Sequence, residues 1–241
     1  MTARNVPGAA STWVVERVAG PRRPAEVVGH GPHAVYVDVD GDCVGVLARD
    51  AVDLPIGLRT TLPRLPGLDT GTPVVVGDGA VRLGEDVVTV TRLVDPVVPR
   101  LGRLPPWTPG VQLDLPAPAL RALADSDAEA VLALLGRGDG LTPSGDDVLA
   151  GWMVARYATE RSLTPVVDVV LRAAADRTTR LSATLLRRAA EGEAIRVCRD
   201  LLLALRSGSG VDAARDRLLR IGHTSGAALA LGISLGLEDA G

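Results

Sequence analysis

The sequence contains no lysine and no phenylalanine, and aromatic residues make up only 2% of it. All 26 basic residues are therefore arginine. That excludes Schiff-base chemistry and any glycine-rich phosphate loop that ends in lysine. Cysteine is scarce too. Cys43 and Cys198 stand far apart with no CxxC spacing and read as reduced or buried thiols. A surplus of positive charge is missing, since the net charge is −3 with both signs interspersed, which excludes a nucleic-acid partner held by clustered charge. Long apolar runs are missing as well. Residues 1–20 lack one after the first arginine, and Leu229 to Leu237 is short and broken by Gly232, Ser234 and Gly236. The expectation is a chain without signal peptide or membrane span, placed in the cytoplasm.

What is present divides into two parts. A hydrophobic fraction of 46%, almost all Ala, Val and Leu, suffices for a core. From Ala34 to about Val98 the pattern is β. Ala34–Val39 and Cys43–Leu47 flank Asp40-Gly41, Val74–Val76 and Ala80–Leu83 flank Gly77-Asp78-Gly79, and Val87–Leu93 adds another strand. Prolines 55, 63, 66 and 73 punctuate this region, which suits a small antiparallel sheet or barrel. Seven prolines between residues 96 and 118 read as an ordered linker. The period then becomes helical. Ser126 to Glu129 has the spacing of a capping box for a helix through Leu135, closed by Gly136. Further helices are expected at about 146–159, 164–176 (capped by Thr164), 181–191, 194–206, 211–220 and 226–237. The fold class is α+β, with a β-rich part at 1–112 that includes the linker and an all-α bundle at 113–241.

Three helix starts in the second part carry chemistry-bearing residues. The first, Gly138 to Asp147, offers Thr142 and Ser144 as caps, and Ser144 to Asp147 has capping-box spacing. Yet it holds two hydroxyls, two adjacent carboxylates and three glycines, more than a cap requires. Glycines 138, 140 and 145 let backbone amides approach a ligand, and a helix start favours an anion. Asp146 and Asp147 point about 100° apart on a helix. One is free to hold the loop while the other faces a ligand, a metal or a proton-transfer site. The second start is Gly222-His223-Thr224-Ser225-Gly226, where His223 is a candidate hydrogen-bond donor or proton carrier. The third is Arg177 to Ser182, where Thr179 and Ser182 share a face and Arg177 or Arg180 can fork onto a carboxylate or phosphate. Ser144-Gly145 and Ser225-Gly226 are each followed six residues later by a glycine, Gly151 and Gly232. Such an S-G-x5-G echo is either chance or two helices with small faces whose starts converge into an anion site without lysine. His30-Gly31-Pro32-His33 reads as a turn, because a metal site needs further ligands.

Gly140 to Asp147 with Leu149 to Gly151, then Thr179 to Ser182 with Leu186 and Gly192, then Gly222 to Gly226 with Gly232, resemble the AllH-like family. The resemblance covers about residues 113–241. It implies a subunit of a multi-subunit enzyme of purine-derived ureide breakdown, converting oxalurate and phosphate to oxamate and carbamoyl phosphate. It also implies partner subunits, one of them similar to acyl-CoA synthetases. In that setting Asp146, Asp147 and His223 are the catalytic candidates. Gly140, Thr142, Ser144, Gly145, Arg177, Thr179, Ser182, Thr224, Ser225 and Gly226 are the candidates for binding a small anionic substrate. No cofactor is demanded, and the acidic pair leaves Mg2+ open. The alternative is a non-catalytic anion-binding or scaffolding subunit. The sequence departs from the family at Ala227-Ala228, where an acidic residue is expected after Ser-Gly.

Overall fold

The computed structural model describes residues 3–238, with the side chain of Glu129 outside the described set. The chain separates into two compact units between Pro96 and Val97. The first holds β1 (Arg4–Ala10), α1 (Thr12–Val18), β2 (Arg23–Gly31), β3 (Ala34–Val39), β4 (Asp42–Leu47), β5 (Gly57–Thr60), β6 (Pro73–Gly77), β7 (Ala80–Leu83) and β8 (Asp86–Leu93). These strands close into a barrel in the order β1-β5-β4-β3-β2-β6-β7-β8. The expected antiparallel arrangement needs correcting. β1 runs parallel to β8, and β4 parallel to β5, so the barrel is mixed. Closure removes every free sheet edge.

Local chemistry explains the hairpins. Asp40 and Gly41 both take positive φ, 55° and 88°, as the tight turn between β3 and β4 requires, and Asp38 accepts from the Gly41 amide at 2.9 Å. Asp78 and Gly79 repeat that geometry between β6 and β7. Pro32 and His33 form the turn joining β2 to β3, in line with the reading of that segment as a turn. The barrel interior is valine-rich, including Val35, Val37, Val44, Val46, Val76, Val81 and Val88, and α1 adds Val14 and Val18 to the same core. Alternation of buried and half-buried residues along β3 is the period-2 pattern that places these valines inward. Cys43 is buried in β4, and burial pushes its thiol up to about 12, so it stays protonated.

The second unit is helical: α2 (Ala117–Ala124), α3 (Ala128–Leu134), α4 (Ser144–Ala158), α5 (Val166–Arg177), α6 (Arg180–Ala190), α7 (Arg196–Ser207), α8 (Val211–Leu219) and α9 (Ser225–Leu237). The proline-rich stretch belongs to this unit. Val98 and Leu104 are buried, the Val98 amide donates to Gly192 O, the Leu101 amide to Ala158 O, and Trp107 O accepts from Ser234 Oγ at 2.6 Å. Pro118 sits in the first turn of α2, where a missing N–H costs nothing. Two caps differ from expectation. Ser126 has φ 63° and an Oγ without a partner, so the helix starts at Ala128 instead, and α5 starts at Val166 with Pro165 at the cap position. Among the described residues, no helix is long and apolar enough to cross a membrane.

Central to the unit is α4, buried along almost its whole circumference from Gly145 to Ala158. A helix apolar all round must be covered on every side. α9, with a near-continuous buried surface of Ala, Gly, Ile and Leu, covers one of them.

Candidate functional site

α4 and α9 lie side by side with their starts at the same end. Ser144 Oγ donates to Thr224 Oγ1 at 3.1 Å, and Thr142 Oγ1 and Ser225 Oγ share a hydrogen bond of 3.2 Å. The glycines of the S-G-x5-G echo make this possible. A Cβ on Gly151 would overlap Leu229 O, and one on Gly232 would overlap Val148 O, so each glycine seats the other helix's backbone. The earlier glycine of each motif has a matching job. Gly145 lies against Leu134 O at the end of α3, and Gly226 against Leu218 O at the end of α8. Their amides donate to Arg137 O and Ile221 O, at 2.8 and 2.9 Å. Two helix pairs, α3–α4 and α8–α9, thus share one local design and meet through α4 and α9.

The expected caps are absent at this junction. Pro143, not Thr142 or Ser144, occupies the cap position of α4, and neither α4 nor α9 has a side-chain cap. The hydroxyls that capping would have consumed are spent between helices instead. The third motif does cap its own helix. Thr179 Oγ1 accepts from the Ser182 amide at 3.0 Å and donates to Leu141 O at 2.6 Å, tying α6 to the loop before α4. Arg177 and Arg180 are exposed, with Arg177 Nη1 reaching Leu132 O at 3.4 Å. His223 is exposed beside Thr224.

The two adjacent carboxylates have different environments. Asp146, 1% exposed, accepts from the Gly136 amide at 2.7 Å through Oδ1. Its Oδ2 accepts from Ser182 Oγ at 2.7 Å and from Thr178 Oγ1. Burial pushes its pKa above the ordinary value, and the three donors pull it part of the way back. Asp146 therefore fastens the end of α3 and the start of α6 to α4. Asp147, 8% exposed, lacks such a set, and its Oδ2 is buried without a partner. Burial pushes its pKa up to about 7; the hydroxyls of Ser225 and Thr142 oppose the rise and the charge of Asp146 adds to it. Cys198 on α7 is fully buried, and its thiol is pushed upward by burial and by the charge of Asp147. Neighbouring carboxyls with divergent environments are the pattern from which acid and base roles are assigned. Among the described residues, no group of three or more His, Cys, Asp or Glu comes together as a metal cage.

Replacing Asp146 with Ala is expected to destabilise the helical unit by about 3 kcal/mol or more, because it strands three donors around a closed space. Urea denaturation followed by circular dichroism checks this. A change under about 1 kcal/mol would mean that the three hydrogen bonds do not hold the loop.

Sequence reading missed Thr178, which no spacing rule singles out, and the contribution of Gly136, whose amide is one of the three donors to Asp146. It also missed Cys198, whose only sequence signal was its scarcity. Comparison with known proteins bears on this part of the chain. Residues 134–237, from the end of α3 to the end of α9, match the family model of oxamate carbamoyltransferase subunit AllH, in agreement with the resemblance read from the motifs. No curated protein and no solved structure matches.

Proposed function

We propose that this chain is a subunit of a carbamoyltransferase-type enzyme that binds a small anion at the paired starts of α4 and α9 and uses Asp147 for proton transfer. The description of the matching family supplies the reaction class and, by naming a subunit, implies further chains. Asp147 carries the rest: a nine-tenths-buried carboxyl with an unpartnered oxygen between two helix starts that no side chain caps. Two positive helix ends attract phosphate, carbamoyl phosphate or a carboxylate without any lysine.

With oxalurate and phosphate as substrates, a phosphate oxygen attacks the carbamoyl carbonyl and the carbon–nitrogen bond to oxamate breaks. The departing amide nitrogen needs a proton. An acid that titrates near neutrality is suited to give it, and the proton lost by the attacking phosphate restores the acid, so the step balances. The Gly140 amide and the hydroxyls of Thr142, Ser144, Thr224 and Ser225 face the charge that develops on oxygen, while Gly145 and Gly226, whose amides are held by Arg137 O and Ile221 O, shape the site by letting neighbouring backbones approach. Arg177 forks onto the substrate carboxylate, and Thr179 and Ser182 set the loop. His223, exposed at the rim, exchanges protons with solvent. Asp146 is a positioning residue in this scheme, its oxygens being already engaged. Mg2+ has no assigned step.

The hydroxyl pairs Thr142–Ser225 and Ser144–Thr224 favour a second reading, because they satisfy one another as a structural joint would. In that case the chain is an anion-binding or scaffolding subunit. The test is carbamoyl phosphate formation from oxalurate and phosphate by this chain, by acyl-CoA-synthetase-like partner subunits, and by both together. Turnover is expected only from the mixture, falling about 100-fold or more with Asp147→Asn. An unchanged rate in that variant would leave only the scaffolding role, and turnover by the isolated chain would overturn the need for partners.

A further inference from the structure

Asp147 lies where the two helix starts meet, and its surroundings contain polar groups but little to balance a charge. Ser225 approaches from α9, Thr142 from the loop before α4, Cys198 from α7, and Asp146 precedes it on α4. Asp147 is 8% exposed, its Oδ2 is buried without a hydrogen-bond partner, and the adjacent Asp146 is a second buried carboxyl. His223 is two residues from Ser225 but exposed. The attraction that a helix start offers to an anion acts on this carboxylate as much as on a ligand. A second negative charge beside an ionised, nine-tenths-buried carboxylate meets strong repulsion in a medium of low dielectric.

We propose that the α4–α9 site takes up its anionic ligand together with one proton carried on Asp147, so that the bound anion and the ionised carboxylate exclude each other. This rests on the anion-site reading above for its location and adds a stoichiometry: one proton per ligand. It gives the site a preference for anions that accept a hydrogen bond from a carboxylic acid. It also makes binding fall as the pH rises through the titration of that acid. A proton so held is available for donation once the ligand is in place.

Oxamate and sulfate are suitable probes, because neither changes charge near neutrality. Titration calorimetry on the full chain is expected to show oxamate binding weakening about tenfold between pH 6 and pH 8, the change for one group titrating near 7. Asp147→Asn is expected to bind with an affinity that is flat over that range and close to the wild-type value at pH 6. If that variant does not fold, Ser225→Ala serves: losing a hydroxyl that favours the ionised form moves the weakening to higher pH. Affinity independent of pH in the wild type, weakening that persists in Asp147→Asn, or no binding of either probe would overturn the proposal. Proton-linked binding without carbamoyl transfer by the full mixture would instead remove the enzymatic reading alone. Turnover with pH-independent oxamate binding would remove this inference alone.

Discussion

Asp147→Asn is expected to make the protein more stable at pH 8 while costing it activity. In the unfolded chain this carboxyl ionises at its ordinary value of 3.8, and in the folded chain at about 7. Between those values the folded state binds more protons than the unfolded state, so stability falls as the pH rises from about 4 to about 7 and then levels off. The accumulated cost at pH 8 is on the order of 4 kcal/mol, from the shift of roughly three pH units at about 1.4 kcal/mol each. Asparagine has the same shape and no charge to bury. Its melting temperature at pH 8 should exceed that of the wild type by roughly 8–16 °C, with the difference closing as the pH approaches 4. Scanning calorimetry on both proteins at several pH values measures this. Equal melting temperatures at pH 8 would mean that Asp147 is ionised without cost. A group that lowers stability at the pH where it works is what a stability–activity trade-off looks like in one residue.

A loss of stability comparable to that of Asp146→Ala is expected from Gly232→Ala and Gly151→Ala. Either methyl group would overlap a backbone carbonyl oxygen, Val148 O in one case and Leu229 O in the other. A carbonyl in mid-helix cannot step aside, so α4 and α9 must separate. The expected cost is about 3 kcal/mol or more for either change, well above the gain of helix propensity that alanine brings. Separation also breaks Ser144–Thr224 and Thr142–Ser225, so anion affinity should fall along with helical signal. Gly236→Ala is the graded comparison, its added carbon reaching 2.7 Å from Trp152 O and 2.8 Å from Ala155 Cβ, and it should cost less. Full stability in both of the first two variants would contradict the interlocked packing.

Much of this was legible because it is local. Helical periods from residue 144 onward, the Asp-Gly turn at 40–41 and the S-G-x5-G echo depend on residues close in sequence. The elements that escaped depend on distant partners. β1 reads Arg-Asn-Val-Pro-Gly-Ala-Ala, a poor strand by propensity, and forms because β8 and β5 flank it. A Cβ on Gly8 would come within 2.6 Å of Leu58 Cδ1, so any larger residue there would push the end of that leucine aside. α2 hid behind Pro116 and Pro118, which punctuate a linker and begin a helix with equal ease. At the site, sequence placed two hydroxyls and two acids at a helix start and offered the hydroxyls both as caps and as anion binders. Tertiary packing redirected them: a neighbouring helix start took the hydroxyls, and Thr178 and Ser182 of another segment took Asp146. Which aspartate stays without such a set follows from that packing and from nothing in the local sequence.

Proton transfer and proton-linked binding both require Asp147 to be a neutral acid at the junction of two helix starts until the pH approaches 7. Its titration can be followed by the carboxyl carbon resonance in labelled protein, with Asp147→Asn fixing the assignment. A midpoint near 7 for Asp147 is the expected result. A midpoint in the ordinary carboxylate range, about 4, would contradict the proton-transfer role and the proton-linked binding together.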